Sequence, residues 1–179
     1  MIRLTKTVCN GCYVLQPLIF NDFRGVFVKS FHTLQFEELG LRSDFSEQYY
    51  TSSRRRVLRG MHYQVAPMHH SKLVYCVVGR VLDVALDLRQ ASATYQQYCS
   101  VELSSALGNM VYLEPGFAHG FYVLSEIATV VYNVTSVFSP QHDQGVRWNS
   151  FGLRWPDSDP ILSVRDANLP LFADVSPFK

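Results

Sequence analysis

The clearest fold signal is carried by residues 72–88, which read KLVYCVVGRVLDVALDL. Two runs rich in strand-forming residues, 73–78 and 81–88, flank the tight-turn pair Gly79-Arg80. Within residues 81–88 every even-numbered position is leucine or valine, whereas the odd-numbered positions include two aspartates. Because side chains alternate between the two faces of a strand, this segment predicts two β-strands separated by a turn.

Similar runs recur along the chain at a spacing of about ten residues, with glycine and proline between them, as in sandwiches and barrels. They cover residues 26–31, 98–103, 109–113, 120–124 and 129–135. Helix signals are weaker, and the best is residues 33–39, with Thr33 as the N-cap and Gly40 as the stop. The pattern predicts one all-β domain over residues 1–179, with short peripheral helices and a proline-rich tail on its surface.

Composition places the chain among globular proteins and excludes several partners. Hydrophobic residues make up 47% of the 179 residues and charged residues 17%. The net charge of +1, with no basic run longer than residues 54–56, gives no reason to expect nucleic acid as a partner. The first six residues lack a secretory apolar core, and no apolar run is as long as a membrane span. We therefore expect a cytoplasmic protein with no membrane partner.

The motif Cys9-Asn10-Gly11-Cys12 matches the C-x-x-C spacing of zinc and redox sites. A zinc site needs a second pair of ligands, whereas Cys76 and Cys99 stand apart in the sequence. A thioredoxin-like site needs a following helix, but residues 13–15 resemble a strand. Asn10-Gly11 is a type I′ turn dipeptide. A turn between strands is the simpler interpretation.

Two histidine-containing blocks carry the chemical signal. Residues 59–64 read RGMHYQ, and residues 115–121 read PGFAHGF, so that His62 and His119 each lie near glycine among aromatic and apolar residues. Arg59 and Lys72 add positive charge beside the first block. A neutral imidazole near two cations suits enolate chemistry on a phosphorylated substrate, because it supplies a base, a charge stabiliser and an anion clamp. The pattern indicates an enzyme.

In these two blocks and several others, the chain resembles the dTDP-4-dehydrorhamnose 3,5-epimerase family of deoxysugar nucleotide biosynthesis. The similarity runs from about Phe20 to Pro170 and consists of several separate blocks, which occur in the same order as in the family. The blocks are residues 20–25 (FNDFRG), 57–64 (VLRGMHYQ), 72–74 (KLV), 83–89 (DVALDLR), 115–121, 145–149 (GVRWN) and 155–156 (WP). The resemblance implies a cupin-type jelly roll, no cofactor, and epimerisation at C3 and/or C5 of a nucleotide-diphosphate 4-keto-6-deoxysugar.

The resemblance also implies a role for four residues in the reaction. His62 matches the base that removes the proton next to the C4 ketone, and Asp166 matches the aspartate that orients this histidine. Lys72 matches the lysine that stabilises the enolate, and Tyr132 matches the acid on the opposite face of the sugar. Judged without the resemblance, Asp166 would be a turn or cap residue and Tyr132 an ordinary core tyrosine.

Further positions match the family's substrate-binding residues, and the family implies a homodimer in which the neighbouring subunit partly builds the base pocket. Arginine suits diphosphate because its planar fork bonds two oxygens together. The residues that occupy these positions, besides Lys72, are Arg24, Phe27, Lys29, Gln48, Tyr50, Arg59, His119, Phe138, Asp143 and Arg165, of which Lys29, Tyr50 and Phe138 differ from the family's residue.

Four positions depart from the family pattern at the recognition end of the site. Lys29 and Tyr50 stand where the well-known rhamnose-pathway enzymes carry glutamate and asparagine, and Val137-Phe138 replaces a tyrosine-rich pair. An ammonium cannot accept the hydrogen bonds that a carboxylate accepts. An epimerase for a CDP-linked or other nucleotide sugar, or one acting at C3 or C5 alone, therefore stays open.

Two other classes of protein also remain as alternatives. Residues 115–119 resemble the second metal motif of metal-dependent cupins. The first motif of such proteins has a second histidine as a metal ligand, whereas this chain has His62-Tyr63-Gln64 there. We therefore predict no metal. A non-catalytic jelly roll that binds sugar nucleotides would bind them without using His62 or Tyr132. Surface or loop roles are predicted for the other histidines, His32, His69, His70 and His142.

Overall fold

The computed structural model describes residues 1–178 and consists mainly of β-strands. Within these residues, helical structure is limited to α1 (Thr33–Glu38), α2 (Val164–Ala167) and a 3₁₀ helix (Phe172–Asp174). The strands are β1 (Arg3–Lys6), β2 (Cys12–Gln16), β3 (Ile19–Asp22), β4 (Gly25–Val28), β5 (Glu47–Arg54), β6 (Leu58–Gln64), β7 (Lys72–Val78), β8 (Arg80–Asp87), β9 (Tyr98–Ser104), β10 (Met110–Leu113), β11 (Phe117–Val123), β12 (Ile127–Val134) and β13 (Asp143–Gly145).

The strands form two large sheets and a small hairpin, all with antiparallel neighbours. One sheet has six strands in the order β1-β2-β10-β7-β12-β5, and the other has five in the order β13-β6-β11-β8-β9. Strands β3 and β4 form a separate two-stranded hairpin. A hydrophobic cluster that includes Val74 and Val111 from the first sheet and Ala85 and Phe121 from the second fills the space between them. This is the sandwich that the strand spacing predicted.

The predicted strands around Gly79 are confirmed, but they do not pair with each other. Strand β7 belongs to the six-stranded sheet and β8 to the five-stranded sheet, so the turn carries the chain from one sheet to the other. Gly79 has φ +77°, and a Cβ there would lie 2.1 Å from the Ile127 carbonyl oxygen. Only glycine fits this crossing without strain.

The alternation in β8 places its two faces in different environments. The leucine-rich face packs under the C-terminal segment, against Leu153 and Trp155. The face with the aspartates points between the sheets, where Asp83 is 2% exposed and Asp87 is fully buried. Burying carboxylates requires polar partners. The inward face of β8 is therefore where functional groups are expected.

Two local predictions need correction. Helix α1 begins at Thr33, so His32 and not Thr33 occupies the N-cap position, while Gly40, at φ +71°, ends the helix region as predicted. Strands β1 and β2 form the expected hairpin, but of the pair Asn10-Gly11 only Gly11 has a positive φ, whereas a type I′ turn needs a positive φ at both residues.

No helix within residues 1–178 is long and apolar enough to cross a bilayer.

Candidate active site

A cavity of about 240 Å³ opens between the two sheets and is lined by all four predicted catalytic residues. Its lining residues are Arg59, His62, His119 and Gly120 from the five-stranded sheet, Tyr49, Thr51, Lys72 and Tyr132 from the six-stranded sheet, and Ser163, Arg165 and Asp166 around α2. An adjoining cavity of about 320 Å³ shares His62 and Lys72 and extends to Phe138 and Asp143. A larger cavity of about 650 Å³ lies under the C-terminal segment, and Asp143 is the predicted site residue that reaches it.

His62 and Asp166 form a hydrogen-bonded pair. His62 Nε2 lies 2.6 Å from Asp166 Oδ1, and the Gly60 amide donates to Oδ2 at 3.3 Å. Helix α2 holds the aspartate in place, since the Ser163 hydroxyl caps it by accepting from the Asp166 amide at 3.0 Å. Burial opposes ionisation of Asp166, but the hydrogen bond and charge of His62 outweigh it and lower the pKa of the carboxyl. An ionised carboxylate on Nε2–H leaves Nδ1 as the basic nitrogen.

Asp166→Asn is expected to lower kcat by about 10²-fold while substrate binding changes little. The amide has no charge to stabilise the imidazolium that forms on proton abstraction, and its NH₂ group can hold the ring in the wrong tautomer. Steady-state kinetics of the purified variant measure this. Asp174→Asn, at an exposed position in the tail, is the matched control and should retain full activity. Equal losses in the two variants would remove Asp166 from the mechanism.

A second histidine–carboxylate pair lies beside the first. His119 on β11 is the direct cross-strand neighbour of His62 on β6, and such neighbours have Cβ atoms about 5 Å apart. His119 Nε2 lies 2.8 Å from Asp83 Oδ2, and both side chains are 2% exposed. Asp83 was not predicted as a site residue. The sequence does show an aspartate at this position of the alternating strand β8. That aspartate indicates a site residue only when it is known which face of β8 points inward.

Lys72 points into the cavity from β7 and is nearly fully buried. Its ammonium donates to the His62 carbonyl oxygen at 3.1 Å. Burial lowers the pKa of Lys72 to about 8, and the nearby Asp143 and Asp83 partly oppose this effect. The group therefore remains mostly protonated at neutral pH, with N–H donors available for a developing oxyanion.

We expect Lys72→Met to stabilise the fold while it destroys activity. A lysine whose pKa is about 8 when folded and 10.5 when unfolded binds its proton more weakly in the folded chain, so the full cost applies below pH 8. This cost corresponds to roughly 3 kcal/mol, and the lost hydrogen bond to His62 reduces the gain to about 1–3 kcal/mol. Thermal unfolding should show a higher Tm for the variant at pH 7 and a shrinking difference between pH 8 and 10.5.

The control for this stability effect is Lys29→Met, because Lys29 is exposed and should leave the Tm nearly unchanged. A lower Tm for Lys72→Met at pH 7 would show that the ammonium is compensated in the folded chain, contrary to the expectation.

Tyr132 enters the cavity from the sheet opposite to His62. Its ring stacks on Tyr49 with centroids 4.8 Å apart and meets His119 edge to face at 5.9 Å. Burial, with smaller contributions from Tyr49 and Asp83, raises the pKa of Tyr132 well above its usual value. The phenol is therefore protonated at neutral pH and able to donate. Tyr49 was also missed, although the alternation of β5 turns it inward.

Two arginines add to the positive charge that Lys72 brings to the cavity. Arg59 donates through Nε to Ser53 Oγ at 2.9 Å, and Arg165 pairs with Asp143 at 2.6 Å. Both side chains line the cavity. Two guanidinium groups on one cavity suit an anion with several oxygens, such as a diphosphate.

Five predicted binding residues lie away from both cavities in this chain. Arg24, Phe27 and Lys29 lie on or beside the exposed hairpin β3–β4, where Arg24 pairs with Asp22 at 2.6 Å. Gln48 and Tyr50 alternate with the inward Tyr49 on β5, so they face outward; Tyr50 is 71% exposed and Gln48 donates to Asn133 Oδ1 at 2.6 Å. A single chain thus presents the catalytic end of the predicted site without its nucleotide end.

The remaining histidines lie in loops or at a helix end, and His70, in the loop predicted for it, also reaches a cavity. It lines the adjoining cavity, with Nδ1 at 3.1 Å from Gln64 Nε2 and 3.2 Å from Ser136 Oγ. Burial and the charge of Lys72 lower the pKa of His70 to about 3, so its ring is neutral. Within residues 1–178, no group of three or more histidine, cysteine or acidic side chains is arranged to hold a metal ion.

Comparison with known proteins identifies the family of the chain. The sequence model of the family described as dTDP-4-dehydrorhamnose 3,5-epimerase matches residues 6–174. A Shigella flexneri protein of that name is 38% identical over 180 residues, covering 99% of each chain.

Solved structures extend the match to three dimensions. A dTDP-6-deoxy-D-glucose-3,5-epimerase from Legionella pneumophila, in complex with dTDP-4-keto-L-rhamnose, superposes with a TM-score of 0.94 at 32% identity, covering 100% of this chain and 99% of that one. A 3′-monoepimerase from Streptomyces bikiniensis, in complex with dTDP-quinovose, gives 0.88 at 31% identity, covering 93% and 86%. These matches confirm the predicted cupin-type jelly roll and the predicted class of enzyme, a nucleotide-sugar epimerase. The chain belongs to the dTDP-4-dehydrorhamnose 3,5-epimerase family.

Proposed function

We propose that the protein inverts C3 and C5 of a dTDP-linked 4-keto-6-deoxysugar without a cofactor. One observation carries this proposal. His62, paired with Asp166, lines the cavity from the five-stranded sheet, and Tyr132 lines it from the six-stranded sheet. Inversion requires removal of a proton from one face of a carbon and its return to the other. Base and acid on facing walls supply both steps.

In the proposed mechanism, His62 Nδ1 removes the proton next to the C4 ketone. The electrons of the broken C–H bond move toward the ketone oxygen, and the Lys72 ammonium stabilises the enolate that results. Tyr132 then delivers its phenolic proton to the opposite face of the same carbon. The ionised Asp166 stabilises the imidazolium, because its carboxylate is 2.6 Å from Nε2. Proton exchange with solvent then restores the neutral imidazole of His62 and the phenol of Tyr132, and a ring flip presents the second carbon to the same groups.

We also propose that the active protein is a homodimer in which each hairpin β3–β4 completes the partner's site. The hairpin exposes apolar rings that a lone chain leaves in solvent: Phe20 is 57%, Phe23 99% and Phe27 58% exposed. Arg24 lies on the same hairpin, away from its own cavities. A partner's cavity would bury the rings and bring Arg24 to the diphosphate.

Subunit mixing tests this arrangement. His62→Asn and Arg24→Ala are each expected to be nearly inactive alone, the first through its base and the second through substrate binding. Mixed dimers should regain activity, because one of their two sites then combines an intact His62 with an intact Arg24 from the partner. Failure to regain activity in dimers shown to be mixed would place Arg24 in the site of its own chain.

The nucleotide is the least constrained part of the proposal, because Lys29 and Tyr50 replace the usual glutamate and asparagine. The dTDP sugars named for the relatives support thymidine. Turnover of dTDP-, CDP- and GDP-4-keto-6-deoxyglucose at equal concentration tests the choice, and we expect dTDP to give the highest kcat/KM. A clear preference for CDP or GDP would keep the mechanism and overturn the nucleotide.

A second candidate is epimerisation at C3 alone. The similarity to a 3′-monoepimerase, at 31% identity over 93% of this chain, favours keeping it. The four proposed catalytic residues serve either outcome, since one base can act at one carbon or at two. Deuterium incorporation at each carbon separates the two candidates.

A further inference from the structure

Cys99 meets the distant pair Cys9 and Cys12 in the core between the two sheets. Cys12 on β2 and Cys99 on β9 have their sulfur atoms 3.1 Å apart, although 87 residues separate them. Cys9 belongs to the same hydrophobic cluster, so Cys99, which stands apart in the sequence, lies close to the Cys9–Cys12 motif in space. The three thiols lie outside the cavities that hold His62 and Lys72.

The local backbone holds the pair in place. The Cys12 amide donates to the Cys9 carbonyl oxygen at 3.0 Å, which closes the turn between β1 and β2. Thr7 braces the same turn, since its hydroxyl accepts from the Cys9 amide at 3.1 Å and lies 2.9 Å from the Cys12 carbonyl oxygen. Cys99 is fixed from the other side by the pairing of β9 with β8, where it lies opposite Ala85. The two sulfurs meet across the boundary between the sheets.

We propose that Cys12 and Cys99 form a redox modification site, in which a hydroperoxide such as hydrogen peroxide converts the two thiols into a reversible disulfide. The Cys99 thiolate first attacks a peroxide oxygen; the O–O bond breaks, a sulfenic acid forms and one water leaves. Cys12 then attacks the Cys99 sulfur; the S–O bond breaks, and its oxygen leaves as a second water. The thiols lose two electrons in total, and a dithiol reductant returns them.

Access and hydrogen bonding favour Cys99 as the thiol that reacts first. It is 7% exposed, compared with 1% for Cys12 and 0% for Cys9. Hydrogen bonds from the Cys12 and Cys9 thiols lower the pKa of Cys99, whereas the same contact and burial raise the pKa of Cys12. Oxidation follows thiolate character and exposure, so Cys99 is the attacking residue and Cys12 the resolving one.

The disulfide would join the two sheets covalently. Cys12 belongs to the six-stranded sheet and Cys99 to the five-stranded sheet, so the bond would link β2 to β9. Cross-linking residues that are 87 positions apart restricts the unfolded chain. We therefore expect the oxidised protein to have a Tm at least about 5 °C above that of the reduced protein.

Thiol mapping of the full chain tests the proposal. The protein is treated with hydrogen peroxide, alkylated under denaturing conditions and digested, and the peptides are analysed by mass spectrometry. We expect a Cys12–Cys99 cross-link, loss of two hydrogens from the intact mass, and full reversal by dithiothreitol. Cys76 is the internal control, because it is similarly buried at 3% exposure but hydrogen bonds to the Val78 carbonyl oxygen. Its thiol should stay reduced.

Variants separate the two roles. With Cys12→Ser, the Cys12–Cys99 link cannot form, and in a Cys9→Ser, Cys12→Ser double variant, which also lacks the neighbouring Cys9 thiol, Cys99 should accumulate as sulfenic acid or its further oxidation products. With Cys99→Ser, peroxide should leave Cys12 reduced. If either serine variant fails to fold, the wild-type map alone decides. Oxidation of Cys76 as fast as Cys99, a link joining only Cys9 to Cys12, or no cross-link in protein with native circular dichroism would each overturn the proposal.

Discussion

Replacing His62 with asparagine is expected to lower kcat by about 10² to 10⁴-fold and to abolish deuterium exchange at both C3 and C5. Asparagine has a similar polar shape and can still donate a hydrogen bond to Asp166, which lies 2.6 Å from the native ring. It has no basic nitrogen to remove a proton. Because the proposed mechanism uses one base for both carbons, exchange at C3 and at C5 should disappear together.

The matched control for this experiment is His142→Asn. His142 also bonds through one ring nitrogen, to Ser139 Oγ at 2.8 Å, but it lies outside the cavities and should be dispensable. Exchange that continues at one carbon in His62→Asn would reveal a second base. His119, the cross-strand neighbour of His62, would then be the first residue to test.

Tyr132→Phe is expected to separate proton exchange from inversion. His62 can still remove the proton, and the imidazolium can return a solvent deuteron to the same face. Without the phenol, nothing in the proposed set donates from the opposite sheet. Deuterium should therefore appear in recovered substrate, while formation of the inverted product falls by about 10²-fold or more. Proton NMR in D₂O measures both quantities in one sample.

Tyr98→Phe provides the comparison for the loss of a hydroxyl. Tyr98, on β9, packs against Phe151 and lies outside the cavity that holds Tyr132. Both proton exchange and inversion by this variant should therefore match those of the unchanged protein. An inverted product formed by Tyr132→Phe at the normal rate would remove Tyr132 as the acid. The stacked Tyr49 would then be the nearest candidate, although burial also raises the pKa of its phenol, to about 12.

The strands and the central histidine were predictable because their signals are local. Alternation along residues 81–88 indicates β8 directly, and glycine beside His62 and His119 marks the two blocks. Which face of β8 points inward was not predictable, since leucines lie on one side and aspartates on the other, and both faces are buried. Asp83 was missed for this reason. The C-terminal segment covers the leucine face, and no local sequence pattern predicts that contact.

Long-range partners lie beyond what periodicity can predict. Asp166 meets His62 across 104 residues, and Cys99 meets Cys12 across 87. The first contact was expected only from the family resemblance, and the second was not expected at all. The nucleotide end of the site is a further case, because Arg24 and Phe27 lie on a hairpin that does not reach the cavity of its own chain. A dimer is the arrangement proposed to complete it.

The measurement that most directly tests proton transfer through His62 and Tyr132 is proton NMR of the unchanged protein with dTDP-4-keto-6-deoxyglucose in D₂O. We predict that deuterium enters at both C3 and C5 and that the product carries inverted configuration at both carbons. Product formed without deuterium from the solvent, or a substrate left intact with no exchange at either carbon, would contradict the mechanism.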